Sequence, residues 1–245
     1  MNKQTVLQNC TVDGNAVRLP EQLDRKLYLE VAKALKLIGG KWKGGKTQAF
    51  LFNQDPTDLL ADIAGGKVRN LKKEFQFFAT PPELARRLVM HADLLDEETI
   101  LEPSAGQGAI IEEINNAGYI PDYYELMPVN KKILDDKIKQ KHLNANYIGD
   151  DFLQHGGKLY DRVIANPPFT KNQDIDHVYE MYNVLKKGGI LVSITSKSWE
   201  TGSQNKQIKF REWLDTFNFE IINLPPGTFK STGTMVGGNI LIIYK

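Results

Sequence analysis

Asn166-Pro167-Pro168-Phe169 closes the apolar run Asp161-Arg162-Val163-Ile164-Ala165. A short β-branched run of this kind reads as a buried strand, and the two prolines after it fix φ and withdraw two backbone donors. The Asn166 amide oxygen and the Pro167 carbonyl then stand side by side as acceptors suited to an NH2 group. Phe169 offers a face on which a planar base can stack. The plain alternative is a Pro-Pro turn in which Asn166 caps the next helix.

Such residues act only if a rigid frame holds them. From Phe75 onward the chain alternates strand and helix patterns, the mark of a doubly wound, mainly parallel α/β sheet. Strands are expected at 99–102, 121–126, 145–149, 160–165, 189–196, 218–224 and 238–244, and helices near 82–92, 108–117, 129–141, 174–187 and 205–217. Glu102-Pro103-Ser104-Ala105-Gly106-Gln107-Gly108 follows the first of these strands and opens a helix at Ala109. Glycines there let the backbone approach a ligand, and the helix start supplies free N–H groups. A dinucleotide would fit such a turn equally well, but the third glycine of that fingerprint is missing. Glu125 ends the second strand roughly twenty residues after the glycines, where a carboxylate can accept both hydroxyls of a ribose. Leu126 and Met127 are then placed to pack on an adenine ring. Asp150-Asp151-Phe152 follows the third strand. Phe77-Phe78-Ala79-Thr80-Pro81-Pro82 leads into the first helix, and Thr80 with Glu83 also reads as a capping box.

These segments, in this order, resemble the S-adenosylmethionine-dependent amino-methyltransferases. The similarity is greatest to the N(6)-adenine DNA methyltransferases of NPPF type, whose cofactor motif precedes the catalytic one. The resemblance covers residues 75–245, about two-thirds of the chain. It implies a Rossmann-like seven-stranded methyltransferase sheet with the last strand antiparallel, and S-adenosyl-L-methionine as cofactor. In it Glu102 faces the methionyl amino group, while Pro103, Ser104, Ala105, Gly106 and Gly108 form the close turn. Glu125 and Leu126 hold ribose and adenine, Asp151 and Phe152 contact and flank the adenine, and Phe78, Ala79, Thr80 and Pro81 pack against the methionine end. Asn166 and Pro167 would accept the two amino protons of the target, with Pro168 stiffening the turn. Phe169 would stack on a base rotated out of its helix.

After the sixth strand, residues 224–234 form a loop at the same edge. Phe229 and Lys230 there, and Lys197 after the fifth strand, are candidates for contact with substrate; a polar hairpin connection is the competing reading. Only about sixty residues separate the cofactor and catalytic motifs, too few for a target-recognition insertion, so recognition falls to the N-terminal part or to a partner protein. Residues 1–74 are expected to form a small basic α+β domain, separate from the methyltransferase domain at 75–245. Two hairpins, at residues 6–19 and 41–52, flank a helix opened by Pro20 in which Leu23, Leu27, Val31 and Leu35 recur. A short helix then ends at Gly65-Gly66. Residues 1–75 hold 13 Lys and Arg against 8 Asp and Glu, and residues 76–245 hold 18 against 22. Lys33, Lys36, Lys41, Lys43 and Lys46 occur with no acidic residue between Val31 and Gln54. With Trp42 and Phe50 they suggest a nucleic-acid surface, Lys41, Lys43 and Lys46 foremost. A solvated charged face is the alternative.

The 245 residues are 41% hydrophobic and 25% charged, ordinary for a globular protein. No apolar stretch approaches the ~20 residues of a membrane span, and Met1-Asn2-Lys3-Gln4 shows no signal pattern. Cytoplasmic residence is the expectation. The single cysteine, Cys10, excludes an intrachain disulfide, and no metal cluster is visible. The expected activity is adenine N(6)-methylation of DNA. Methylation of RNA shares the same chemistry. Methylation of protein glutamine, usually with Tyr at the position of Phe169, and a catalytically silent nucleic-acid binder are the remaining readings.

Overall fold

The computed structural model describes residues 2–52, 55–67, 79–141, 143–230 and 237–245. The chain divides into two compact units, Met1–Gln76 and Phe77–Lys245.

In the first unit, helix α1 (Lys3–Gln8) is capped by Asn2, whose Oδ1 accepts the Thr5 N–H at 2.9 Å. Val6 and Leu7, expected in a strand, are therefore helical, with both side chains in the core. The cap at Asn2 starts a helix before the β-branched pattern can act. The strand begins only at Thr11: β1 (Thr11–Asp13) pairs with β2 (Ala16–Arg18) across a tight turn in which Gly14 takes φ +58°. Helix α2 (Arg25–Leu37) starts later than Pro20 because Asp24 accepts the N–H groups of Lys26 and Leu27. Val31, Ala32 and Leu35 form its buried stripe, and Leu23 lies outside it. Strands β3 (Lys41–Lys43) and β4 (Ala49–Leu51) complete an antiparallel sheet in the order β1-β2-β4-β3, followed by helix α3 (Thr57–Ala64).

The second unit opens with helix α4 (Pro82–His91) and continues through β5 (Ile100–Glu102), α5 (Ala109–Asn116), β6 (Asp122–Tyr124), α6 (Pro128–Lys141), β7 (Asn146–Gly149) and β8 (Tyr160–Ala165). Helix α7 (Gln173–Asn183), β9 (Leu185–Thr195), the short α8 (Ser198–Thr201), α9 (Asn205–Leu214), β10 (Asn218–Leu224) and β11 (Gly238–Tyr244) follow. The sheet order is β10-β11-β9-β8-β5-β6-β7, with β11 antiparallel to both neighbours. The inner strands are covered on both faces, as β11 is along nearly its whole length, whereas the outermost strands β7 and β10 are largely exposed. Val163, Ala165, Leu191, Leu241 and Ile243 face α7 and α9, whereas Ile164, Val192, Ile194, Ile240 and Ile242 face α4 and α5.

The helix expected over 174–187 ends at Asn183. The Tyr160 N–H donates to the Val184 carbonyl and Tyr160 pairs with Leu185, drawing residues 185–187 into β9. Gly188, at φ +81°, and Gly189, where a Cβ would meet the Asp161 oxygen at 2.7 Å, accommodate the register shift. Among the described residues no helix is long and apolar enough to cross a membrane.

Candidate active site

Ligands of open α/β sheets bind beyond the C-terminal ends of parallel strands, and the sequence-predicted residues gather there. β5 delivers Glu102, β6 is followed by Glu125, β7 by Asp151 and β8 by Asn166. The pairings Ala165 with Ser193, Asn239 with Thr195 and Leu224 with Gly238 bring Lys197 and the loop after β10 to the same edge.

The turn between β5 and α5 is built on two left-handed residues, Gly106 (φ 57°) and Gly108 (φ 79°). A Cβ on Gly108 would lie 2.4 Å from Leu134 Cδ1 on α6, so only glycine fits. Glu125 is buried and holds this turn. One carboxylate oxygen accepts the Gly106 N–H at 2.6 Å and the other accepts the Met127 N–H at 2.7 Å. Burial raises its pKa, against the lowering effect of those N–H groups and of Asn130. Leu126, beside it, is exposed. Glu102 is 1% exposed, and its Oε2 has no hydrogen-bond partner among the described residues. Burial, then the charge of Glu125, holds its carboxyl well above the usual range, and the Ile111 N–H at the start of α5 works against them. Two buried carboxylates at one strand edge, one with an unsatisfied oxygen, form a site that a cation would stabilise.

Asn166 leaves β8 half-buried, with Pro167 buried behind it. Its amide nitrogen donates to Thr80 Oγ1 at 3.0 Å. That contact orients the carboxamide, so the oxygen faces away from Thr80. The capping box expected at Thr80 does not form: Pro81 occupies the N-cap position of α4 with no side-chain cap. Thr80 is turned instead to Asn166, a residue 86 positions away, and sequence proximity could not reveal this. Ala79 flanks Thr80 and is half-buried, while Phe78 lies outside the described residues.

Not every candidate lines an open surface. Phe152 is 2% exposed, stacked on His155 with ring centroids 5.3 Å apart and edge-on to Tyr124. It supports the site from beneath. Asp151 caps the short turn Phe152–Gln154 through the Leu153 N–H at 3.0 Å. Phe229 is buried in the core cluster against which Phe169 packs. Lys197 donates to Asn223 on β10, whereas Lys230 is exposed. Ser231, Thr232, Gly233 and Thr234 lie outside the described residues.

The structure adds residues that the sequence pattern did not single out. Directly after the NPPF turn, Lys171 (φ 54°) and Asn172 (φ 59°) are both left-handed, an unfavourable state for residues other than glycine. Asn172 is held there by three side chains: its amide donates to Gln204 Oε1 at 2.9 Å, and its oxygen accepts from Ser198 Oγ at 3.0 Å and Gln207 Nε2 at 3.3 Å. Two residues on, the fully buried Asp174 accepts the Ser196 N–H at 2.8 Å. The exit of the NPPF turn is thereby tied to the segment after β9. His177, one turn further along α7, is buried beside Phe152 and held at about 4 by burial, hence neutral.

No family model matches the chain. It is 25% identical over 194 residues to the modification methylase CviBIII of Paramecium bursaria Chlorella virus NC1A, covering 68% of this chain and 50% of that protein. It is 25% identical over 148 residues to the Methanosarcina acetivorans protein named "Probable ribosomal RNA small subunit methyltransferase A", covering 59% of this chain and 54% of the other. The chain thus spans about half the length of either relative. Among solved structures, the type I restriction enzyme EcoKI M protein superposes with TM-score 0.57 at 17% identity, over 91% of this chain and 51% of that one. With its seven-stranded order and antiparallel β11, the unit Phe77–Lys245 has the Rossmann-like methyltransferase fold.

Proposed function

We propose that the chain transfers a methyl group from S-adenosyl-L-methionine to the exocyclic 6-amino group of adenine in DNA. The observation that carries this reading is Asn166, fixed through Thr80 at the end of β8 on the same strand edge as Glu102 and Glu125. S-adenosylmethionine, when bound, supplies an electrophilic methyl group on a sulfonium, and it bears an ammonium as well. Glu102 and Glu125 fit such a group, whose net charge is positive: the unsatisfied Glu102 oxygen would take the ammonium, and Glu125 would keep acceptor capacity for the ribose hydroxyls. Gly106 and Gly108 let the backbone lie close to the cofactor, and exposed Leu126 covers the adenine. Asp151 and Phe152 anchor the far wall.

Adenine N6 is a poor nucleophile because its lone pair is delocalised into the ring. The Asn166 oxygen and the Pro167 carbonyl would accept hydrogen bonds from its two N–H groups and pull the nitrogen toward tetrahedral geometry, and one of its protons is lost to water once the methyl group is in place. Thr80 keeps the carboxamide from rotating. Phe169 stacks on the target base, with Pro168 stiffening the approach. Acceleration then comes from positioning and preorganised acceptors, with no covalent intermediate on the protein.

The basic unit Met1–Gln76 is the part we assign to holding the nucleic acid, with Lys230 and Lys197 as lesser contacts. The modification methylase among the relatives favours DNA. The ribosomal RNA methyltransferase makes RNA the second reading. Transfer of labelled methyl from S-adenosylmethionine to DNA, RNA and protein in parallel, followed by nucleoside analysis, tests the proposal. N(6)-methyladenine in DNA, lost in Asn166→Ala, supports it. Label confined to RNA or to protein glutamine, or no label in any of the three, overturns it.

A further inference from the structure

We infer that Trp42 is a stacking platform for an unpaired DNA base, and that Lys41, Lys43 and Lys46, on the same edge strand and its connection, hold phosphates of the strand as it passes over that edge. The inference rests on the nucleic-acid reading above and gives the N-terminal unit a defined contact. Strand β3 (Lys41–Lys43) is terminal in its sheet, and all three of its residues are exposed. Lys41 and Lys43 point to one face and Trp42 to the other. Trp42 stands opposite Phe50 in the register, with ring centroids 5.0 Å apart, and meets Tyr28 of α2 edge-on at 6.1 Å and 85°. Phe50 is fully buried, so Trp42 is braced from below, yet it remains 41% exposed. The ring is immobilised on its inner side and open on its outer side. That arrangement suits stacking, because little conformational entropy is left to lose when a base arrives.

Charge selects the partner. Lys33, Lys36, Lys41, Lys43 and Lys46 are all exposed. None makes an ion pair among the described residues, although lysines elsewhere, such as Lys67 and Lys158, do. A surface whose cations lack internal partners and whose aromatic ring lies open matches a polyanion carrying planar groups. An acidic peptide without aromatic side chains would satisfy the lysines but gives the indole face nothing to stack on. Lys46 sits in the connection between β3 and β4, next to a left-handed Gly45 (φ 66°), and extends the basic strip beyond the strand. A duplex keeps its bases stacked on each other, so the ring calls for an unpaired stretch, a frayed end or a strand already opened for base extrusion.

The test uses the full chain and fluorescently labelled oligonucleotides, single-stranded and duplex, titrated over a range of salt. Trp42→Ala is expected to weaken single-strand binding about 5- to 150-fold, the equivalent of ~1–3 kcal/mol per stacked base. Trp42→Phe should lie between it and the parent chain. Lys41→Gln with Lys43→Gln should weaken binding for every sequence and reduce the slope of log K against log salt by ~0.7 per lysine. These two lysines are exposed on an edge strand, so they report on the surface even if Trp42→Ala fails to fold. An unlabelled acidic peptide that displaced the oligonucleotide efficiently would overturn the assignment of partner. Methyl transfer to DNA with unchanged binding in Trp42→Phe and the double lysine variant would overturn this inference and leave the function standing. No binding and no transfer by the parent chain would overturn both.

Discussion

The two edges of the seven-stranded sheet are built on opposite principles. At the edge where β5, β6 and β8 begin, the charged side chains carried by β6 and β8 themselves, Asp122, Asp161 and Arg162, all have partners. Arg162, 4% exposed, donates through Nε to the Ala92 carbonyl at 2.7 Å and through Nη2 to Asp93 at 3.0 Å, and pairs with Glu98 at 2.8 Å. Asp161 accepts from Thr99 and Lys186, and Asp122 from Lys158 and Tyr160. At the opposite edge the accounts stay open. Glu102 Oε2, Thr170 Oγ1, Asp174 Oδ1 and His177 Nδ1 are buried without hydrogen-bond partners among the described residues, and Lys171 and Asn172 are left-handed. Unsatisfied polar atoms and backbone strain persist where a ligand or a reaction gives them a use. The first edge holds the fold, and the second carries the candidate site.

The largest effect should come from the satisfied edge. Arg162→Ala leaves Glu98 uncompensated and should cost about 3–5 kcal/mol, read as a lower Tm with transfer per folded molecule unchanged. An equal loss of transfer per folded molecule would break the division between the edges. Asn166→Ala should do the reverse: transfer falls about 100- to 1,000-fold while Tm and cofactor binding stay near those of the parent.

Glu102→Gln sharpens the contrast most directly. A carboxyl whose pKa is raised in the folded state stays protonated there while the unfolded chain ionises, so it destabilises the fold increasingly above the unfolded value of ~4.3. Gln removes that cost. Tm should rise at pH 7, and the gain should vanish toward pH 4. Cofactor binding, followed by calorimetry, should be lost in the same variant. A variant with lower Tm at pH 7 would show that Glu102 stabilises the fold instead. The smallest effect is expected at Asn172. Asn172→Gly keeps the left-handed backbone but removes three side-chain hydrogen bonds, and should lower kcat by ~10-fold, about 1.4 kcal/mol, with Tm little changed. If kcat holds, the tie to Gln204 and Gln207 has no part in placing the NPPF turn.

Much of this was legible in the chain because the signals are local. A β-branched run, a glycine pair after it and a Pro-Pro brake act over a few residues, so β8, the Glu102–Gly108 turn and the strand-end positions of Glu125 and Asn166 could be read directly. The errors came where a contact distant in sequence outweighed a local pattern. The last turn of the expected 174–187 helix was taken by pairing with Tyr160, and the capping box at Thr80 lost its threonine to Asn166. In the N-terminal unit a single asparagine cap converted Val6 and Leu7 from strand to helix.

Residue type and order thus determined which groups reach the strand edge and the methyltransferase-like sheet that presents them, because strand alternation and turn chemistry are set by neighbours along the chain. Tertiary structure alone decided which of those groups stay open at the strand edge and which are buried beneath it. Burial put Phe152 and Phe229 into the core, raised Glu102 and left its oxygen unsatisfied, and fixed the Asn166 amide through Thr80. Desolvation and hydrogen bonding depend on every atom packed around a group, and that environment exists only once the chain has folded.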